Sequence, residues 1–196
     1  MSFKKFQLNE KIMAGVAAAG YQEPTPIQDQ SIAAILQGRD IMGLAQTGTG
    51  KTAAFVLPIL QRLMSGKPRQ VRALILAPTR ELSEQTHEAI RELGQKTRLS
   101  SAAIYGGVSI QSQITKLRSR VDIVSACPGR LLDHIGRGTI DLSGVEVLVL
   151  DEADHMFDMG FLPDVRKIVK HLPAQRQTLL FSATMPHEIR SLADDL

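Results

Sequence analysis

Asp40-Ile41-Met42-Gly43-Leu44-Ala45-Gln46-Thr47-Gly48-Thr49-Gly50-Lys51-Thr52 is the stretch that decides the fold. A short apolar run, Asp40–Ala45, leads into a glycine turn, and the turn leads into the helix-like AAFVLPILQRLM. Strand, turn and helix in that order form a phosphate loop of the pattern G-x-x-x-x-G-K-[ST], matched at Gly50, Lys51 and Thr52, with Ala45 in place of the first glycine. Gly48 and Gly50 let the backbone of Gln46, Thr47, Gly48, Thr49 and Gly50 curl so that successive N–H groups and the next helix N-terminus face an anion. Lys51 adds a point charge for the terminal phosphates, and the Thr52 hydroxyl is placed to ligate Mg²⁺. Pro58 either kinks the helix or marks its early end, because proline deletes a ladder donor.

Outward from this stretch, short apolar runs alternate with helix-length segments. The strands are expected at Asp40–Ala45, Ala73–Ala77, Ser101–Tyr105, Asp122–Ala126, Val145–Leu150 and Thr178–Phe181. They read as near-continuous hydrophobic runs, the pattern of strands covered on both faces. Helical spacing is found over Thr52–Met64, Glu81–Leu93, Ile110–Leu117 and Gly129–Arg137. Upstream, Ile12 to Ala19 reads as a helix closed by Gly20. Thr25 with Pro26 reads as an N-cap and first turn of a helix that runs to Leu36 and stops at Gly38. The expected fold is α/β, a doubly wound, mostly parallel sheet with helices on both faces. Ser65–Arg72, SGKPRQVR, reads as a solvated basic connection. In such sheets ligands collect at the carboxyl ends of the strands, so the residues just after each apolar run are the ones to examine.

Val145–Leu150 ends in Asp151-Glu152-Ala153-Asp154, three acids within four positions. In a phosphate-loop protein the first acid after a hydrophobic strand is the expected second Mg²⁺ handle, here Asp151. Glu152 is available to orient or deprotonate a water. The same acids would also suit the first turn of a helix through its dipole.

Composition sets wider limits. The chain has 196 residues, 43% of them hydrophobic and 22% charged, which fits one soluble domain and excludes a disordered or fibrous chain. No run approaches the ~18 apolar residues of a membrane span, and the start, MSFKKFQLNEK, lacks the apolar segment of a secretory signal. Cys127 is the only cysteine, so disulfides and multi-cysteine zinc sites are excluded and a reducing cytoplasm is the expected compartment. A net charge of +3 permits nucleic-acid binding without requiring it.

Asp151-Glu152-Ala153-Asp154 is the tetrapeptide that names the DEAD-box RNA helicases, and further stretches resemble that family in its own order. Gly20-Tyr21-Gln22-Glu23-Pro24-Thr25-Pro26-Ile27-Gln28 resembles the Q motif, with Phe3 as its upstream aromatic. Pro78-Thr79-Arg80-Glu81-Leu82 resembles motif Ia, Gly106-Gly107 the GG pair, Pro128-Gly129-Arg130 motif Ib and Ser182-Ala183-Thr184 motif III. The resemblance spans Phe3 to Thr184 and implies a RecA-like ATP-binding domain over 1–196, with the Q-motif region at about 1–38.

What the resemblance implies can be set beside the chemistry of the residues. Gln28 offers an acceptor and a donor side by side, the complement of adenine, and the family implies an adenine role for Tyr21, Thr25 and Gln28. Tyr21 can stack on a base or pack as core. The family also implies an RNA-backbone grip by Pro78, Thr79, Arg80, Gly106, Gly107, Pro128, Gly129 and Arg130. The arginines suit phosphate contacts and the glycines close approach, so binding is expected to be sequence-independent and salt-sensitive. Arg80 could instead pair with Glu81 or Glu84. Asp154, Ser182 and Thr184 are implied to couple the nucleotide to domain closure, although hydroxyls there would also cap a helix near Pro186.

The implied ligands are ATP, ADP or AMP, Mg²⁺ and single-stranded or duplex RNA, and the implied activity is an RNA-stimulated ATPase that unwinds duplexes. A second RecA-like domain is expected as a partner outside this chain, which stops inside what reads as a helix. Alone, the domain is expected to be monomeric, nearly inactive and unable to unwind. One departure concerns Cys127, where motif Ib usually has threonine. The loss of that hydroxyl is expected to cost about 1 kcal/mol of RNA contact, and Cys127 reads as a small buried hydrophobe rather than a redox thiol.

Overall fold

The computed structural model describes residues 2–66 and 70–196. Six parallel strands, β1 (Ile41–Leu44), β2 (Ala73–Leu76), β3 (Ser101–Ile104), β4 (Ile123–Ala126), β5 (Val147–Leu150) and β6 (Gln177–Ser182), form one sheet in the order β1-β6-β5-β2-β4-β3. The helices are α1 (Glu10–Ala18), α2 (Pro26–Leu36), α3 (Lys51–Leu63), α4 (Arg80–Leu93), α5 (Ile110–Arg118), α6 (Pro128–Gly136), α7 (Ala153–Asp158), α8 (Leu162–Val169) and α9 (His187–Asp194).

Successive side chains of a strand leave on opposite faces, and here both faces are buried. Ala73 and Ile75 of β2 and Val147 and Val149 of β5 join a core with Ile12, Ile32, Phe55, Leu60 and Ile90 from α1 to α4. Leu74, Leu76, Leu148 and Leu150 join the other core with Leu117, Leu131, Met156, Val165 and Ile189 from α5 to α9. That two-sided burial is why these strands are continuous apolar runs rather than alternating ones. Phe55 is fully buried beside Phe181, ring centroids 5.5 Å apart, and its truncation to alanine would cost about 3–5 kcal/mol.

The expected strands and helices are all present, and the fold is the doubly wound one. α3 runs through Pro58 without a break, because residues 53–60 are buried all round and packing holds the helix despite one absent donor. Three elements carried little sequence signal. The polar-looking start holds a 3₁₀ turn, Phe3–Phe6, whose two aromatics are buried. α7 and α8 follow the acids in segments too short to show helical periodicity clearly. The reading of Ser65–Arg72 as a solvated connection is corrected at Arg72, which is 3% exposed and bonded to Glu146 and the Leu63 carbonyl. Residues 67–69 of that segment lie outside the described residues. Among the described residues no helix is long and apolar enough to cross a membrane.

Candidate functional site

β1 lies at one edge of the sheet, and its end is carried inward by the loop that follows. Ala45 N–H donates to the Ser182 carbonyl at the end of β6 (2.9 Å), so the glycine turn crosses the tip of β6 and reaches β5. Gly48 and Gly50 both sit at positive φ (83° and 86°), a conformation that costs glycine nothing and most residues dearly. A Cβ on Gly50 would also lie 2.5 Å from Gln28 Nε2. α3 begins at Lys51, and Thr49 Oγ1 steadies the turn by donating to the Gln46 carbonyl.

Lys51 and the acids meet at this point. Lys51 Nζ lies 3.0 Å from Asp151 Oδ1 and 3.4 Å from Glu152 Oε1, and it is 5% exposed. Thr47 Oγ1 donates to the same Glu152 oxygen at 2.7 Å. Asp151 Oδ1 is buried without an aligned hydrogen bond, so its contact with Lys51 is a charge pair rather than a directed bond. Burial pushes the Asp151 carboxyl above its ordinary pKa, against the pull of Lys51. Burial pushes Glu152 the same way, but Thr47, Lys51 and His155 outweigh it and hold that carboxyl below its ordinary value. Glu152 is also one of the non-glycine residues in the left-handed region, φ 55°. Backbone strain of that kind, worth about 1–3 kcal/mol, gathers at functional sites.

Asp154 is tied to β6. Its N–H donates to Ser182 Oγ (3.0 Å), and its Oδ2 accepts from the Thr184 N–H (2.9 Å) and hydroxyl (3.0 Å). Burial raises the Asp154 carboxyl, but the groups of Ser182, Thr184 and Ala183 dominate and lower it. Ser182 and Thr184 therefore contact the acidic segment, and α9 begins after them at His187.

The upstream residues brace the turn. Thr25 is the N-cap of α2 with Pro26 at the first position, as expected. Gln28 is fully buried; its Oε1 accepts from Thr25 N–H (3.0 Å) and its Nε2 donates to the Gly50 carbonyl (3.0 Å). Both halves of the amide are thus engaged within the chain. Thr25 Oγ1 is buried with no hydrogen bond. Tyr21 packs edge-on against buried Phe3, centroids 6.0 Å apart, and stays half-buried.

The ends of β2, β3 and β4 bring together the remaining candidates. Pro78 and Thr79 follow β2, with Thr79 Oγ1 accepting from Leu82 N–H to cap α4. Arg80 lies over the Tyr105 ring, 5.0 Å from its centroid. Gly106 and Gly107 are exposed after β3, Gly107 at φ 79°. Pro128, Gly129 and Arg130 open α6 after β4. Arg130 Nη1 donates to the Val108 carbonyl (3.0 Å), so this arginine is folded onto the glycine loop. Cys127 is the N-cap of α6 without a side-chain cap bond, and burial pushes its thiol up to about 11. At neutral pH it is therefore held as the thiol rather than the nucleophilic thiolate.

Sequence reading passed over Tyr105, Gln113 and His134. Gln113 did leave a signal: it occupies the apolar stripe Ile110, Gln113, Ile114, Leu117, where a polar side chain needs buried partners.

The comparisons with known proteins bear on this geometry. The DEAD/DEAH box helicase family model matches residues 25–192. The chain is 50% identical over 192 residues to the ATP-dependent RNA helicase CshA of Listeria monocytogenes, covering 98% of this chain and 37% of that protein. It is 47% identical to the CshA of Limosilactobacillus reuteri, covering 98% and 38%. Among solved structures it is similar to a DEAD box protein from Methanococcus jannaschii, with a TM-score of 0.93 and 42% identity over 99% of this chain and 53% of that one. The chain spans less than half the length of these curated relatives. On the family match and on whole-length identity of this order, the chain belongs to the DEAD/DEAH box helicase family.

Proposed function

We propose that this chain is the ATP-binding part of an ATP-dependent RNA helicase, one RecA-like domain over 1–196 that includes a Q-motif region at about 1–38. The observation that carries this reading is Lys51 held between Asp151 and Glu152 at the mouth of a glycine turn. Such a cluster is half of a binding site: a phosphate chain entering the turn would take over Lys51, while the freed carboxylates face the same oxygens. The buried, unaligned Asp151 Oδ1 fits an oxygen kept for a cation. Thr52 and Asp151 would hold Mg²⁺, partly through water, and the ion would supply positive charge against the phosphate oxygens.

The protein's own groups then divide the work. Lys51 neutralises the terminal phosphates. Asp151, buried and paired with Lys51, is suited to the cation, while Glu152, held below its ordinary pKa against burial by Thr47, Lys51 and His155, stays an ionised carboxylate. Glu152, ionised and anchored by Thr47, is the group to orient or deprotonate the attacking water. Gln28 would leave the Gly50 carbonyl to read adenine, with Tyr21 and Thr25 beside it. The link of Asp154 to Ser182 and Thr184 would transmit nucleotide occupancy to a second RecA-like domain. Pro78, Thr79, Arg80, Gly106, Gly107, Pro128, Gly129 and Arg130 would grip RNA through its backbone. Arginines from a second domain are worth about 10³–10⁵ in kcat in phosphoryl transfer, so this chain alone would bind ATP, ADP or AMP and hydrolyse ATP very slowly, without unwinding.

Competition binding tests the reading. With a fluorescent ADP analogue bound to the chain, ATP and ADP are expected to displace it at least about tenfold better than GTP, the discrimination expected of a bidentate amide. Equal displacement by GTP would remove the adenine reading, and no binding at all would remove the phosphate loop. In a chain extended through a second domain, RNA that fails to stimulate ATP hydrolysis would remove the helicase assignment.

A further inference from the structure

A buried polar network built around Gln113, a residue outside the named motifs, holds the residues that flank the exposed glycine pair. Gln113 of α5 is 4% exposed. Its Nε2 donates to the Tyr105 carbonyl at 2.8 Å, the residue immediately before Gly106. Its Oε1 faces Arg130 Nη1 at 3.3 Å and His134 Nε2 at 3.0 Å, both on α6. Arg130 also donates to the Val108 carbonyl, the residue immediately after Gly107. The glycine pair is therefore pinned on both sides, by Gln113 before it and Arg130 behind it, and Gln113 joins the two pins. Tyr105 extends the same network to the end of β2, because Arg80 lies across its ring.

The proton assignments at Gln113 are consistent, and the single Thr139 hydroxyl proton is shared between His134 Nδ1 and the His134 carbonyl, which lies 3.1 Å away. An oxygen that receives the Arg130 guanidinium can only accept from His134, so His134 carries its proton on Nε2 and its Nδ1 accepts from Thr139 Oγ1 at 2.8 Å. His134 is fully buried, and burial, with Arg130 and Arg137 nearby, lowers its pKa and keeps it neutral, as this pattern requires. With both halves of the Gln113 amide engaged, the network fixes one geometry there, whereas a half-satisfied amide would be costly.

We infer that Gln113 is a positioning residue for RNA, the joint that holds the Gly106-Gly107 loop, the α6 N-terminus and Arg80 in one register so that their donors meet successive phosphates. The inference rests on the RNA-track reading proposed above. Gln113 does not itself touch RNA; its hydrogen bonds are spent inside the protein. A glycine pair is the most flexible backbone available and gains a defined shape only from what holds its flanks, so a track built on it needs such a joint.

The test is RNA binding by the full chain, read as fluorescence polarisation of a labelled oligouridylate over a salt series, with binding of a fluorescent ADP analogue as the control. Gln113→Leu keeps the bulk and removes every bond; it is expected to weaken RNA binding roughly tenfold and to flatten the salt dependence by about one phosphate contact, with ADP binding unchanged. Gln113→Glu keeps the acceptor for Arg130 and His134 and loses only the donor to Tyr105, so it is expected to recover part of the loss. In hydrogen exchange, Gln113→Glu should speed the amides of 105–109 and leave those of 46–52 untouched. That measurement decides the matter if Gln113→Leu fails to fold. RNA binding by folded Gln113→Leu within twofold of the parent, or unchanged exchange at 105–109 in Gln113→Glu, overturns the inference. If the parent chain binds ADP but no RNA, the RNA-track reading itself fails and the role of Gln113 goes with it.

Discussion

The carboxyl edge of the sheet has two halves that treat charge in opposite ways. At the ends of β1, β6 and β5, charge is turned inward: Lys51 is 5% and Asp151 2% exposed, paired to each other and to Glu152. At the ends of β2, β4 and β3, exposed glycine backbone alternates with arginines, one spread on an aromatic ring and the other bonded to a carbonyl. The difference follows from what each half would bind. A compact, multiply charged triphosphate with its cation needs a desolvated cage in which each charge is strong. A polyanion with spaced phosphates needs shallow, repeated contacts that tolerate any sequence. Strand order alone separates the two, because β6 stands between β1 and β5 while β2 turns the sheet toward β4 and β3.

The comparison can be broken first at Lys51. Lys51→Ala is expected to lower nucleotide affinity by about 10- to 100-fold, the range for one charge-assisted contact, and to leave RNA affinity within twofold, both by equilibrium titration. The variant should still unfold cooperatively, since burial already raises the Asp151 pKa and the loss of Lys51 raises it further, so the carboxyl can take up a proton instead of remaining an unpaired buried charge. Loss of both affinities together would mean that the halves are one site.

Arg80→Ala probes the other half. RNA affinity is expected to fall about fivefold, with the slope of log affinity against log salt smaller by about 0.7, the share of one phosphate on a single strand. Nucleotide affinity should not move.

Asp154 sits where the halves would communicate, and pH sharpens its role. Its carboxyl lies below the ordinary pKa in the folded chain, so its stabilising effect is present above the unfolded value and is lost as pH falls through the folded one. The stability gap between the parent and Asp154→Asn, measured by denaturant unfolding, should therefore be full at pH 7 and shrink progressively below the ordinary Asp range. A gap that widens on acidification would contradict the assignment.

The smallest effect is expected at Cys127. Cys127→Thr gives α6 the side-chain cap it lacks, for about 0.5–1 kcal/mol of stability by thermal melting, and raises RNA affinity by no more than about fivefold through one new hydrogen bond. An unchanged melting temperature would show that the cap position is already satisfied.

Most of the fold was legible because both faces of the sheet are covered, which makes each strand a plain apolar run, and because Gly20, Gly38 and the Thr25-Pro26 cap mark helix ends. The chemistry at Lys51 and Asp151 was legible because motif spacing stands in for contact: loop and acid lie 100 residues apart in sequence and 3.0 Å apart in space. What stayed hidden depends on partners that no local pattern names. Arg72 looked like part of a basic loop, yet it is buried against Glu146, 74 residues away. Gln28 offered a free amide on paper, whereas the fold gives both its halves to Thr25 and Gly50. Arg130 read as a phosphate contact, and nothing in the sequence showed that it also holds the Val108 carbonyl.

The most direct test of the divided edge is amide hydrogen exchange on the chain with ATP and Mg²⁺ alone, then with an oligouridylate alone. The account predicts that nucleotide protects 46–52 and the amides around Asp151 and Ser182, and that RNA protects 79–81, 106–109 and 128–130. Protection of one common set by both ligands, or nucleotide protection confined to the ends of β2, β3 and β4, would contradict it.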